Sequence, residues 1–247
     1  MKTSERNRSA RLTRVAGVAL AAVVAGCSTT QQVKVSESRA TYCPFLGPTT
    51  CAKLTPNATP GRFDSGSGLA GLRYINPDAH WTKYRKVIIA PVSFWGGDDS
   101  KISPADQVAL TNFFTQALYD ALSKKFEVVN KPGPDVMEIQ VAVDEIGKAT
   151  PVLRSVSMVI PQARALSTLG YLATGTYAFV GSAQAEGKVT DSVTGQILVA
   201  AVDRRVGGGN IENAAQWQLG DAENAMRAWS EQAANKLSAW TSGTPPS

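Results

Sequence analysis

Between residue 87 and residue 242 the spacing of apolar positions switches repeatedly between period two and helical period, and each switch marks an element. Val87-Ile88-Ile89-Ala90-Pro91-Val92-Ser93-Phe94-Trp95 is a continuous apolar run emptying into Gly96-Gly97-Asp98-Asp99, the profile of a buried strand leading into a loop. Pro91 has no donor for a sheet ladder, so a bulge or a local edge has to take it. Ser103 then offers an N-cap with Pro104 at the first helical position. Val108, Leu110, Phe114, Ala117, Leu118, Ala121 and Leu122 follow at helical spacing, which predicts a helix over about 104–124. Glu127-Val128-Val129 reads as a short strand before the turn Lys131-Pro132-Gly133-Pro134. Met137, Ile139, Val141 and Val143 alternate with Glu138, Gln140, Ala142 and Asp144, a strand with one dry and one wet face. Residues 177–189 and 197–206 flank the turn-forming cluster Asp191-Ser192-Val193-Thr194-Gly195 and predict an antiparallel hairpin. From Asp221 onward, Ala222, Met226, Trp229, Ala233, Lys236 or Leu237, and Trp240 share one face of an amphipathic helix of about 20 residues.

Residues 41–80 are rich in Gly, Pro, Asn and Ser, with isolated anchors at Tyr42, Phe45, Leu46, Leu69, Leu72, Tyr74 and Ile75. Apolar side chains at that density want burial, so this stretch is expected as an irregular strap packed on the domain. Strand, helix, a group of strands and a closing helix together predict an α+β fold. Its sheet is expected to be mixed and mostly antiparallel, with helices packed on one face and the irregular N-terminal strap in front.

The N-terminus changes the picture. Lys2, Arg6, Arg8, Arg11 and Arg14 stand against one acid, Glu5, and the twelve residues 15–26 are Ala, Val, Leu and Gly only. Such a run is too short to cross a bilayer core, which takes about 20 helical residues, and has the form of a signal h-region. It ends in Val24-Ala25-Gly26-Cys27, which resembles a bacterial lipobox and implies cleavage before Cys27 with acylation of that cysteine. Ser28, where an Asp would signal retention, resembles the signal for export to the outer membrane. The expected organisation is a signal over 1–26, the lipidated cysteine and a flexible tether over 27–41, one domain over 42–242 and a frayed tail over 243–247. The formal charge of +5 loses its meaning here, because removing the +4 of the signal leaves about +1. Bulk attraction to nucleic acid is therefore not expected. With Cys27 given to lipid, Cys43 and Cys51 remain; an even remainder in an exported protein favours a disulfide, two free thiols being the alternative.

Gly71-Leu72-Arg73-Tyr74-Ile75-Asn76-Pro77, Trp81-Thr82-Lys83-Tyr84, Val87-Ile88-Ile89-Ala90-Pro91-Val92, Asp191-Ser192-Val193-Thr194-Gly195-Gln196 and Val202-Asp203-Arg204-Arg205 together carry a family likeness. Over roughly residues 42–242 the chain resembles a family of bacterial lipoproteins catalogued only as a domain of unknown function, family 3313. The strand-helix-strand opening is also loosely similar to the N-terminal domains of periplasmic accessory proteins such as the translocation protein TolB and the lipoprotein activators of cell-wall synthases. The resemblance implies an envelope protein that binds other proteins.

Motifs for chemistry are few. Gly66-Ser67-Gly68-Leu69-Ala70-Gly71 fits GxGxxG, yet no strand precedes it and Asn76-Pro77 interrupts any helix after it, so it is expected as a turn. His80 is the single histidine, and no GxSxG elbow or SxxK motif accompanies it. Zinc sites draw on several His and Cys residues, so no metal or other cofactor is expected. Asp98-Asp99 and Asp144-Glu145 are acid pairs whose ordinary place is a solvated loop or strand end, and no catalytic residue is assigned to them. Arg204 and Arg205 are candidates for strand-end ion pairs or for contact with a partner's carboxylate or phosphate. The apolar, small-residue stretch 158–172, with Leu166 and Leu169, is a second candidate contact with a partner or with lipid, or else a cover for the core. The function expected is that of a non-enzymatic partner-binding or assembly factor, lipid-anchored at the periplasmic face of the outer membrane. A binding module for lipid, glycan or peptidoglycan fragments is the alternative, and a hydrolase with an unrecognised acid pair ranks below both.

Overall fold

The structure is a computed structural model that describes residues 31–33, 35, 39–56, 71–96, 102–147, 182–206 and 220–246. Its elements in chain order are β1 (Gln31–Val33), α1 (Arg39–Leu46), α2 (Pro48–Ala52), β2 (Thr55–Pro56), β3 (Leu72–Ile75), a 3-10 turn (Trp81–Lys83), β4 (Lys86–Ile89), β5 (Ser93–Phe94), α3 (Pro104–Leu122), β6 (Glu127–Val128), β7 (Val136–Gly147), β8 (Ser182–Asp191), β9 (Ile197–Val206) and α4 (Gly220–Thr241). The fold is α+β, built on a mixed, mostly antiparallel sheet in the order β2-β3-β9-β8-β7-β4-β6, with β1 on the edge of β9 and β5 on the edge of β7. The three long strands β7, β8 and β9 form its antiparallel centre. Strands β4 and β6 run parallel to one another and β4 runs parallel to β7, because α3 carries the chain back across the sheet.

Local chemistry explains where these elements start and stop. The Ser103 hydroxyl accepts from the Asp106 N–H at 3.2 Å and Pro104 occupies the first turn, so α3 opens at the expected residue. Gly195 takes φ +70° in the β8–β9 turn, a conformation that costs a side-chain-bearing residue but not glycine. The apolar run after residue 87 is cut in two by Pro91: the Ala90 N–H reaches the Ile139 carbonyl at 3.0 Å, and the next available donor, Val92 N–H, is satisfied by the Thr115 hydroxyl of α3 at 3.0 Å. One expected strand is thus β4 followed by β5, both lying along β7.

Helices α3 and α4 pack together on one sheet face. Phe114 meets Trp229 at 5.9 Å between ring centroids, and Trp81 meets Trp240 at 4.8 Å. Tyr84, Val87, Leu110, Leu122, Met137 and Met226 lie in this core at under 3 % exposure. The strap takes the other face, and it is more regular than its composition suggests. Tyr42, Leu46, Cys51 and Leu54 pack on Ala200 and Val202 of β9, which holds 39–52 as two short helices joined at Gly47. The segment 27–41, expected as lipidated cysteine and flexible tether, contains β1 and the first turn of α1. The physical reason is the open edge of β9, whose ladder groups pair with Gln31–Val33 opposite Val206 to Arg204. No helix among the described residues is long and apolar enough to cross a membrane.

Candidate functional site

Helix α4 and the sheet do not close fully on one another. Between them lies a cavity of about 190 Å³. Its floor comes from alternate strand residues, Ile139, Val141, Ala185, Val189, Val199 and Ala201, the period-two set that points toward α3 and α4. Its walls are Phe114 and Leu118 of α3 with Trp229, Ala233, Leu237 and Trp240 of α4. Small residues make the room: where Ala185, Gly187 and Ala201 face Ala233, side chains end at or before Cβ and cannot interdigitate to core density.

The cavity lining is mostly apolar, and its polar members are Arg73, Gln140, Glu186, Lys188, Asp203, Gln232 and Lys236. Burial, and then the nearby Arg73 guanidinium, pull the Lys236 ammonium below its ordinary pKa. Asp203 is fully engaged. Its Oδ2 accepts from Trp229 Nε1 at 2.7 Å and Arg205 Nε at 3.0 Å. Its Oδ1 accepts from Gln32 Nε2 and from the Gly71 N–H. Arg205 Nη2 continues the network to Gln232 Oε1 at 2.8 Å. A carboxylate with four donors, one of them a guanidinium, has its buried charge compensated, so Asp203 fixes the Trp229 wall and ties β1 and the start of β3 to the cavity.

The opposite face holds a second group of polar side chains under α1. Asp144 is the bulged residue of β7, falling between the pairs Val143 with Ala185 and Glu145 with Gln184. Gln184 Nε2 donates to Asp144 Oδ2 at 2.8 Å, and the Thr41 side chain of α1 also reaches Asp144. Glu186 is 1 % exposed, and neither of its carboxylate oxygens has a hydrogen-bond partner; Asp144 Oδ1 also lacks one. Burial, then the adjacent Asp144 charge, push the Glu186 carboxyl up to about 10. Burial raises Asp144 as well, against the opposing hydrogen bond from Gln184.

The residues singled out from the sequence are distributed as follows. Cys43 and Cys51 form a disulfide, with Cα atoms 5.4 Å apart, joining α1 to α2. Arg205 is buried and paired internally with Asp203, while the mostly buried Arg204 bonds through Nη2 to the more exposed Glu145 Oε1 at 2.6 Å. His80 flanks the 3-10 turn and is exposed. Gly71, last of the GxGxxG run, leads into strand β3 and not into a helix. Cys27, Leu166, Leu169, Asp98, Asp99 and the stretch 158–172 lie outside the described residues. Among the described residues no three His, Cys, Asp or Glu side chains gather as a metal site would require. The strand face expected to be wet at Asp144 is covered by α1, and Glu186 escaped notice because a polar residue alternating with Ala185 and Gly187 reads as solvent-facing. The cavity had one legible sign, the small residues at alternate positions of β8 and β9.

The family model described as protein of unknown function, DUF3313, matches residues 62–233, and the chain belongs to that family. No curated protein matches it. Among solved structures it is similar to a PelC dodecamer from Paraburkholderia phytofirmans, with 10 % identity over 65 % of this chain and 95 % of that one at a TM-score of 0.37. Protein XCC0632 from Xanthomonas campestris gives 9 % identity over 69 % and 95 % with a TM-score of 0.38. The hypothetical protein CT253 from Chlamydia trachomatis gives 9 % over 65 % and 97 % with a TM-score of 0.31.

Proposed function

We propose that this chain is an exported, lipid-anchored protein of the periplasmic face of the outer membrane, acting by binding and not by catalysis, and that its ligand is an apolar chain such as the acyl tail of a lipid. The observation that carries the ligand is the cavity under α4, mostly apolar in its lining with a minority of polar and charged side chains. Such a shape suits an amphiphile, because each methylene withdrawn from water contributes about 0.8 kcal/mol and the polar end stays at the rim. A protein-binding surface would instead present a contiguous apolar patch. Among the described residues the large exposed apolar side chains are Val108 and Tyr119 of α3, Trp95 after β5 and Val193 in the β8–β9 turn. Support for the anchor is the basic N-terminus, the short apolar run and Val24-Ala25-Gly26-Cys27.

The test is titration with a long-chain fatty acid bearing an environment-sensitive fluorophore. The wild-type protein is expected to bind it saturably. Ala233→Trp, which fills the cavity from the α4 side, is expected to abolish binding while leaving the far-ultraviolet circular dichroism unchanged. Absence of saturable binding to the wild type refutes the ligand assignment.

A further inference from the structure

Glu186 borders the cavity under α4 but is not bonded to the network around Asp203. Its cross-strand neighbours, Ala142 on β7 and Val202 on β9, are apolar and buried. Along β8 it stands between Gln184, which is bonded to Asp144, and Lys188. Of the cations on this face, Lys188 Nζ donates to the Phe45 carbonyl of α1 at 2.8 Å and lies 4.6 Å from its ring centroid, and Arg204 is held through Nη2 by Glu145 while its Nε is buried without a partner among the described residues. Glu138 of β7 is the remaining charge near Lys188. From α1, Thr41 faces Asp144, and Tyr42 packs in the small core beside them. Two buried carboxyls thus meet with no cation bonded to either among the described residues. Among those residues, three of their four oxygens have no donor.

Two coupled, buried carboxylates resist ionising together, and one proton held between them halves their charge and supplies one of the missing donors. We propose that Glu186 and Asp144 form a proton-sharing carboxyl pair that latches the disulfide-stapled α1–α2 strap onto the sheet, so that loss of the proton frees the strap. Glu186 is the protonated partner, donating to Asp144 Oδ1. The sign follows from linkage. A carboxyl whose folded pKa stands near 10 keeps its proton while the same group in the opened strap loses it above about 4.3. Closure is therefore strongest below about pH 4 and weakens progressively up to about pH 10.

Opening is read from the rate at which a phosphine reductant cleaves the Cys43–Cys51 bond, because Cys51 is buried and the bond spans the two strap helices. The comparison is between wild type and Glu186→Gln, whose amide stays neutral at every pH. The rate ratio of wild type to variant is expected to rise between pH 5 and pH 9, approaching tenfold per pH unit where one proton is lost on opening. A ratio that stays flat overturns the proposal. Asp144→Asn provides a second variant if the first does not fold: it keeps the acid but removes its charged neighbour, so the rise is expected to level off at a lower pH. Should a chelator accelerate reduction of the wild type at pH 7 and calcium reverse it, a cation and not a proton neutralises the pair, which also overturns the proposal.

Discussion

Asp191 was legible as a turn former, and its side chain does far more than cap a turn. Its Oδ1 accepts from the Val193 and Thr194 N–H groups at 3.0 and 2.9 Å, while Oδ2 accepts from Lys83 Nζ at 2.7 Å and Tyr84 Oη at 2.9 Å. One carboxylate therefore joins the β8–β9 turn to the 3-10 turn and the start of β4. Burial works to raise its pKa, but Lys83, the Thr194 amide and Tyr84 together hold it well below the usual carboxylate range. Tyr84, buried and bonded to it, is pushed up to about 12. A depressed carboxyl stabilises the fold above about pH 4, and that contribution is lost as pH falls toward its folded value. Asp191→Ala is expected to cost about 2–3 kcal/mol at pH 7, chiefly by leaving the Tyr84 hydroxyl and two amides without an acceptor. Urea unfolding at pH 7 and pH 3 checks both points, since the difference between wild type and variant should shrink in acid.

At the level of elements, legibility followed local signals. The α3 start was readable from Ser103-Pro104, the hairpin from Asp191 to Gly195, and α4 from its apolar face, because capping, φ > 0 and helical period are properties of a few adjacent residues. The strap was not readable as helix. Pro44, Gly47 and Pro48 punctuate it as a loop, and only long-range packing of Tyr42 and Leu46 on β9 with the Cys43–Cys51 bond overrides them. The buried acids failed for the same reason: period two says which face Glu186 occupies but not what covers that face. Because the disulfide closes a short loop, Cys43→Ser with Cys51→Ser is expected to lower stability by about 2–3 kcal/mol in the chain-entropy model. The urea midpoint of the double variant against wild type measures it, and reductant should bring the wild type to the variant's midpoint.

For the whole molecule, the proposed anchor would make membrane and cavity parts of one arrangement. Cys27→Ala is expected to move the protein from the membrane fraction to the soluble periplasmic extract, which cell fractionation reads directly. Gln32 and Gly71 converge on Asp203, so β1 is stitched to the carboxylate that also holds Trp229. Four peptide steps separate position 27 from Gln31, a covalent reach of at most about 14 Å. Were Cys27 acylated as proposed, a body moored that closely would have little freedom to roam: the β1 side of the sheet would hover at headgroup height, and whatever slides beneath α4 would come up from the leaflet below and not in from the open periplasm.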